Sequence, residues 1–248
     1  LAMLNQLSAH GVDVCWGIHV YAGLESGKIC VSAGPRMAGA AGVGIKVIGR
    51  GGHGSRPDMS VNPVFCAASI LTNTATAWVN QITAGRTVTL GVTSIQGGEA
   101  PNVIPDTADI LGSLRFFNDE EGEKAVRIFK NVAEHTAAMN NCQVQFDDRF
   151  CVLCAPVIND EYYSNLISTA LPEVLPENVT VSSCEPWYAS ESFSCYRRIC
   201  PSVLAHLGIN NPSYGSGAAH HNGFFDVDEG VLSTGVISTL KFVAMLQK

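Results

Sequence analysis

The sequence predicts an α/β chain in which an α+β module of ferredoxin-like βαββαβ order, residues 40–150, is inserted into a second α/β domain formed by residues 1–39 and 151–248. Three observations predict it. Through the middle of the chain, period-two and helix-period apolar patterns follow one another in the order β-α-β-β-α-β. Before them, Val12 to Ile18 is a near-continuous apolar run, as expected of a strand buried on both faces. After residue 150, helix and strand signals alternate and close on a helix.

In chain order, Leu1-Ala2-Met3-Leu4-Asn5-Gln6-Leu7 has helical apolar spacing with no N-cap before it and no initiating methionine. This predicts a fragment entered partway through an element. Val43 to Ile48 alternates as a strand. Asn62 caps a helix with Pro63 at its first position, and Val64, Ala67, Ala68, Leu71, Ala75 and Trp78 keep helical spacing. Val88, Leu90 and Val92 alternate again, and a turn at Gly97-Gly98 leads to a strand carrying Ile110, Leu114 and Phe116. Asn118-Asp119-Glu120-Glu121 opens a helix with acids at its positive end, and Val144 with Phe146 closes the module. Beyond it come a helix from Tyr162 to Ala170, short strands near Val179–Val181 and Val203–Leu207, and a last helix starting near Asp228.

Composition narrows the function. A 46% hydrophobic, 15% charged chain of 248 residues is globular. A net charge of −7 without any Lys/Arg run argues against a nucleic-acid partner. No apolar run approaches the roughly 18 residues of a bilayer span, so no membrane partner is expected. Nine scattered cysteines fit free thiols in a reducing cytoplasm. Cys151 and Cys154 have the spacing of a redox or metal pair, but Val152 and Leu153 between them read as strand.

Several residues could carry chemistry. His19 follows Cys15-Trp16-Gly17-Ile18, at the end of the apolar run where α/β sheets gather ligands; it is a metal ligand or an imidazole satisfied by a backbone carbonyl. His220 and His221 lie in a loop rich in glycine, serine and alanine, where adjacent rings point apart. Glu191 and Asp226 are the nearest carboxylates, without ligand spacing. His53 follows two glycines and could donate to an oxyanion. Asn102 sits in a turn between prolines. Arg115 alternates with Leu114 and Phe116, so it faces away from their core, where a guanidinium suits a carboxylate.

Together these stretches resemble the metal-dependent amidohydrolase branch of the aminoacylase and carboxypeptidase family, which contains hippurate and auxin-conjugate hydrolases. The resemblance rests on Trp16-Gly17-Ile18-His19-Val20, Gly49 to Pro57, Asn62-Pro63, Gly97-Gly98 with Asn102-Val103-Ile104-Pro105, Gly112 to Arg115, and His221 to Glu229. It implies a metallopeptidase-like catalytic domain, here truncated, with an inserted dimerisation and lid domain. It implies two divalent metal ions, zinc or manganese, in the intact enzyme, with His19 and His221 (rather than His220) as ligands. His53 and Asn102 would stabilise the tetrahedral intermediate and Arg115 would clamp the substrate carboxylate. His53 would serve the partner's site of a homodimer. The family's Cys-x-His motif and the glutamates that follow it have no counterpart here, so this fragment alone is expected to be inactive and metal-free. Ala189-Ser190-Glu191-Ser192-Phe193 departs from the family's Gly-Gly-Glu-Asp-Phe and leaves Glu191 a supporting role. The implied reaction is hydrolysis of the amide bond of a small N-acyl-amino acid by metal-activated water. The alternatives are a dipeptidase or carboxypeptidase of the same family and a non-catalytic dimerising module.

Overall fold

The computed structural model describes residues 2–247, which pack into two units. One holds the chain up to Met37, Val157–Trp187 and the residues from Glu191 on; the other holds Ala38–Pro156 with Tyr188–Ser190. The first unit opens with α1 (Ala2–His10), β1 (Cys15–Glu25), β2 (Ile29–Cys30) and β3 (Gly34–Met37). The second comprises β4 (Gly39–Ile48), β5 (Gly52–His53), α2 (Pro63–Gln81), β6 (Val88–Gln96), β7 (Val103–Ile104), β8 (Thr107–Phe116), α3 (Asp119–Met139), β9 (Gln143–Phe146) and β10 (Val152–Cys154). The first then resumes with β11 (Val157–Asn159), α4 (Glu161–Ala170), β12 (Thr180–Val181), β13 (Ser202–Asn210) and α5 (Leu232–Leu246).

In the second unit, β4, α2, β6, β8, α3 and β9 run in βαββαβ order, and β8 pairs antiparallel with both β4 and β6. Alternation sends Val43, Ile45 and Val47 of β4, and Ile110, Leu114 and Phe116 of β8, to the face covered by α2 and α3. Both helices start as the sequence dictates. Asn62 Oδ1 accepts from Val64 N at 2.9 Å, and Asn118 Oδ1 from Glu121 N at 3.0 Å. β4 begins at Gly39, ahead of the apolar signal at Val43. Its first residues are small because the neighbours are close: a Cβ on Gly39 would lie 2.4 Å from the Phe116 ring. The unit also extends to Pro156 rather than ending at residue 150, because β10 pairs with the start of β4.

In the first unit the sheet order is β1-β13-β2-β12, with β1 and β13 parallel from Cys15↔Ser202 to Tyr21↔Gly208. Here the structure corrects two expectations. β13, buried from Ser202 to Ile209, is the strand covered on both faces, whereas β1 is only half-buried. β1 also runs on to Glu25, so His19 sits inside the strand and not beyond its end.

Residues Glu229–Leu246 equal a bilayer span in length and hydropathy, contrary to the reading of the apolar runs. α5 itself, at 15 residues, is about 22 Å long, short of the roughly 30 Å hydrocarbon core. It packs on β1 through Trp16, stacked on Phe242 at 4.6 Å. Its Lys241 pairs with Glu173 at 2.6 Å.

Candidate active-site residues

In the first unit, the register of β1 and β13 sets His19 beside His206. Around them stand Tyr21, Trp187 and His220, with ring centroids 5.1 Å from His19 to Trp187, 5.6 Å from His19 to His220 and 4.9 Å from Tyr21 to His206. His19 Nδ1 lies 2.7 Å from the Val20 carbonyl oxygen. A carbonyl only accepts, so Nδ1 carries the proton and donates. His19 Nε2 is thereby left as the basic nitrogen, and it faces Glu191 Oε2 at 3.9 Å. At that separation the two groups are not hydrogen-bonded to each other, and imidazole nitrogen and carboxylate oxygen are both metal-donor types. Glu191 Oε1 is held by Phe193 N at 3.3 Å and Ser192 Oγ at 3.0 Å, which fixes the carboxylate in the first turn of a short helix.

The two loop imidazoles point apart, but in the opposite sense to that expected. His220 packs against His19 and Trp187, and its Nε2 accepts from Ala22 N at 3.3 Å. Burial first, then the nearby His19 and His221, lower its pKa and keep it neutral. His221 is exposed, with a left-handed φ of 62°. Asp226 is also exposed, and its Oδ1 accepts from Val227 N. Among the described residues, no group of three or more His, Cys, Asp or Glu side chains is placed to hold a metal ion.

His206 was not legible as a site residue. It is fully buried, and burial, followed by Arg36, His19 and His220, pushes its pKa down to about 3. A lone imidazole inside the apolar run Ser202-Val203-Leu204-Ala205-His206-Leu207 was the available signal. Tyr21 and Trp187 carried no signal beyond being aromatic.

In the second unit, β5 pairs antiparallel with β7, His53 opposite Val103, and Gly54 N donates to the Asn102 carbonyl at 2.8 Å. This short ladder brings His53 and Asn102 together, both exposed. A Cβ on Gly54 would lie 3.2 Å from the Asn102 oxygen, so glycine permits the approach. His53 Nδ1 accepts from Ser55 N at 3.2 Å and lies 2.8 Å from Ser55 Oγ. The neutral ring therefore carries its proton on Nε2, as an outward donor.

Arg115 lies on the helix-free face of β8, between Ala40 and Thr89, half-buried, with Nη1 donating to the Leu114 carbonyl at 3.0 Å. It stands at the far end of the strand from β7. Thr107 to Arg115 alone is eight residue steps, about 26 Å at the usual strand rise. Arg115 is not brought near His53 and Asn102 within one chain.

The first unit thus sets His19 of β1 near Glu191, at the start of the short helix Ser192–Arg198, and the βαββαβ module is inserted between its two halves. Residues 37–140 match the family model described as the peptidase dimerisation domain. The chain is 29% identical over 233 residues to thermostable carboxypeptidase 2 of Saccharolobus solfataricus, covering 92% of this chain and 57% of the relative. It is 29% identical over 224 residues to N-acetylcysteine deacetylase of Bacillus subtilis, covering 90% and 56%. Among solved structures, a putative aminohydrolase from methicillin-resistant Staphylococcus aureus superposes with a TM-score of 0.83 at 25% identity, over 94% of this chain and 59% of that one. A Bacillus subtilis protein described as a dinuclear metal-binding peptidase of the M20 family shares the fold, with a TM-score of 0.77 at 24% identity over 98% and 60%. Along most of its length the chain is similar to peptidases and deacetylases, and its residues 37–140 are similar to the peptidase dimerisation domain. It spans a little under 60% of the length of these relatives.

Proposed function

We propose that the protein hydrolyses the amide bond of small N-acyl-amino acids as a homodimer, with a divalent-metal centre (zinc or manganese). The observation that carries this reading is the separation along β8. In such a substrate only a nitrogen and a Cα stand between the scissile carbonyl and the carboxylate. With about 26 Å of β8 between Arg115 and the end of the strand next to the β5–β7 ladder, the arginine and the His–Asn pair of one chain cannot both hold it, whereas two copies of the module related by a two-fold can present Arg115 from one and His53 with Asn102 from the other.

Each side chain has a definite task in this reading. Arg115 binds the carboxylate through its guanidinium fork. His53 Nε2–H and the Asn102 amide donate to the oxygen on which negative charge develops. His19 Nε2 and Glu191 Oε2, 3.9 Å apart, are of the donor types that a divalent cation takes. They make only part of a coordination shell. His221 joins it if the loop turns that ring inward past His220. When bound, a divalent pair supplies a Lewis acid for the carbonyl and lowers the pKa of water. The thiol content suits a cytoplasmic setting.

The relatives include N-acetylcysteine deacetylase and an N-acyl-L-amino acid amidohydrolase, which supports capped amino acids as substrates, alongside carboxypeptidases. The test is turnover of N-acetyl- and N-benzoyl-amino acids against free dipeptides by the full-length protein, with manganese or zinc added. Hydrolysis of the capped compounds is expected. Turnover of free dipeptides alone would replace this reading with a dipeptidase, and none on either set would leave a dimerising module.

A further inference from the structure

Arg115 is half-buried, and among the described residues its guanidinium meets the Leu114 carbonyl, 3.0 Å from Nη1, and no carboxylate. Most of its N–H donors remain for another acceptor. Leu114 and Phe116, on either side of it, are fully buried under α2 and α3. Alternation therefore puts Arg115 on the helix-free face. Phe117, the residue after β8, follows it to that side two positions on, about 7 Å along the strand.

Phe117 is only half-buried and lies outside the core of the module. Its ring meets Tyr188 edge to face, with centroids 5.1 Å apart and planes at 84°. The neighbour of Tyr188 holds it there: the Ala189 carbonyl accepts from Ala38 N at 3.0 Å, and Ala38 immediately precedes Gly39, which pairs with Phe116. Tyr188 nevertheless keeps 50% of its surface exposed. The residues paired with Arg115 on the neighbouring strands, Ala40 and Thr89, are small. A cation without an anion and two half-open aromatic rings thus share one end of the same sheet face.

We infer that Phe117 and Tyr188 form a side-chain subsite beside Arg115, which selects N-acyl-amino acids bearing a large apolar side chain, aromatic above all. The assignment rests on the proposed role of Arg115 as the clamp for the substrate carboxylate. In an amino acid the carboxylate and the side chain leave the same Cα, so a carboxylate on the guanidinium holds the side chain within one side-chain length of it. Along this face that length leads to Phe117, about 7 Å from Arg115, and to the Tyr188 ring packed on it. A benzyl group is long enough to span the distance and a methyl group is not. A ring entering there gains edge-to-face or offset contacts and covers apolar surface that is open to water. The protomer that supplies Arg115 thereby also sets the amino-acid preference of that site.

The experiment compares kcat/KM for N-acetylphenylalanine and N-acetylalanine in the full-length protein, with manganese or zinc added. A preference for the phenylalanine compound of about tenfold or more is expected. Tyr188→Ala and Phe117→Ala should each cut that ratio about fivefold or more, chiefly through KM, and Tyr188→Phe, which keeps the ring, should hold it. Damage to the fold would slow both substrates alike and leave the ratio intact. A wild-type ratio near one, or a ratio that neither alanine variant changes, would overturn the subsite while the amide-hydrolase reading stood. If neither compound is turned over, that reading fails instead, and calorimetric titration decides the subsite. Binding of N-acetylphenylalanine about tenfold tighter than N-acetylalanine supports it, and equal or undetectable binding of the two overturns it. Where a variant fails to fold, the wild-type comparison alone decides.

Discussion

Pairing two single-site variants gives the sharpest test of the proposed dimer and its shared sites. His53→Ala removes the outward Nε2–H donor, and Arg115→Ala removes the guanidinium. Loss of one oxyanion donor costs about 10²–10³-fold in kcat, and loss of a paired, partly buried carboxylate clamp costs a similar factor through KM. Each homodimer should therefore retain no more than about 1% of wild-type kcat/KM. The strand geometry then fixes what the mixture does. In a hybrid dimer, one site combines the intact Arg115 of the first protomer with the intact His53 of the second, while the other site lacks both. A hybrid isolated by two different affinity tags should show about half the wild-type rate, and a random mixture about a quarter, since half of its dimers are hybrids. The assay is hydrolysis of an N-acyl-amino acid followed by amine release. A tag-purified hybrid with no more activity than its two parents would refute the reasoning, since each site would then draw both residues from one chain.

The remaining predictions concern stability. Asn62→Ala removes the side-chain cap that accepts from Val64 N and Phe65 N. It should cost about 1 kcal/mol, or about 2–4 °C in Tm for a chain of this size, read by calorimetry. Gly122→Val should be more damaging, because a Cβ there would lie 2.4 Å from the fully buried Phe116 ring; a loss of about 1–3 kcal/mol in urea unfolding is expected, and a neutral result would show that the α3–β8 packing is misjudged. Glu121 is ionised more readily than an ordinary carboxylate, first because Thr83 donates to it and then because Lys124 is close. A depressed folded pKa means the unfolded chain binds the proton first. Its contribution is therefore complete above the ordinary glutamate range and is lost as pH falls through the lowered value. Urea midpoints from pH 6 to pH 3 should fall more steeply for the wild type than for Glu121→Gln, and parallel slopes would remove Glu121 from the acid sensitivity.

Much of the inserted module is legible in the sequence because its signals are local. Asn62-Pro63 and Asn118-Asp119-Glu120-Glu121 each specify a helix start within four residues, and alternation in β8 sends Leu114 and Phe116 inward and Arg115 outward. Where small residues are demanded by a neighbour distant in sequence, the signal disappears. The start of β4 at Gly39 is set by the Phe116 ring, 77 positions later, and no apolar pattern announces it. The same limit applies to the imidazoles. The sequence offers His19, His220 and His221 as candidates, but which of the last two meets His19 depends on the backbone of one loop: a positive φ at His221 turns that ring to solvent and leaves His220 against Trp187. His206 shows the converse. Its role follows from parallel register with His19, which links positions 187 residues apart, and only the break in an apolar run hints at it. The separation of Arg115 from His53 and Asn102 follows from counting residues along β8 once its partners are known. That count makes a second copy of the chain a chemical requirement of the proposed reaction and gives the hybrid experiment its power.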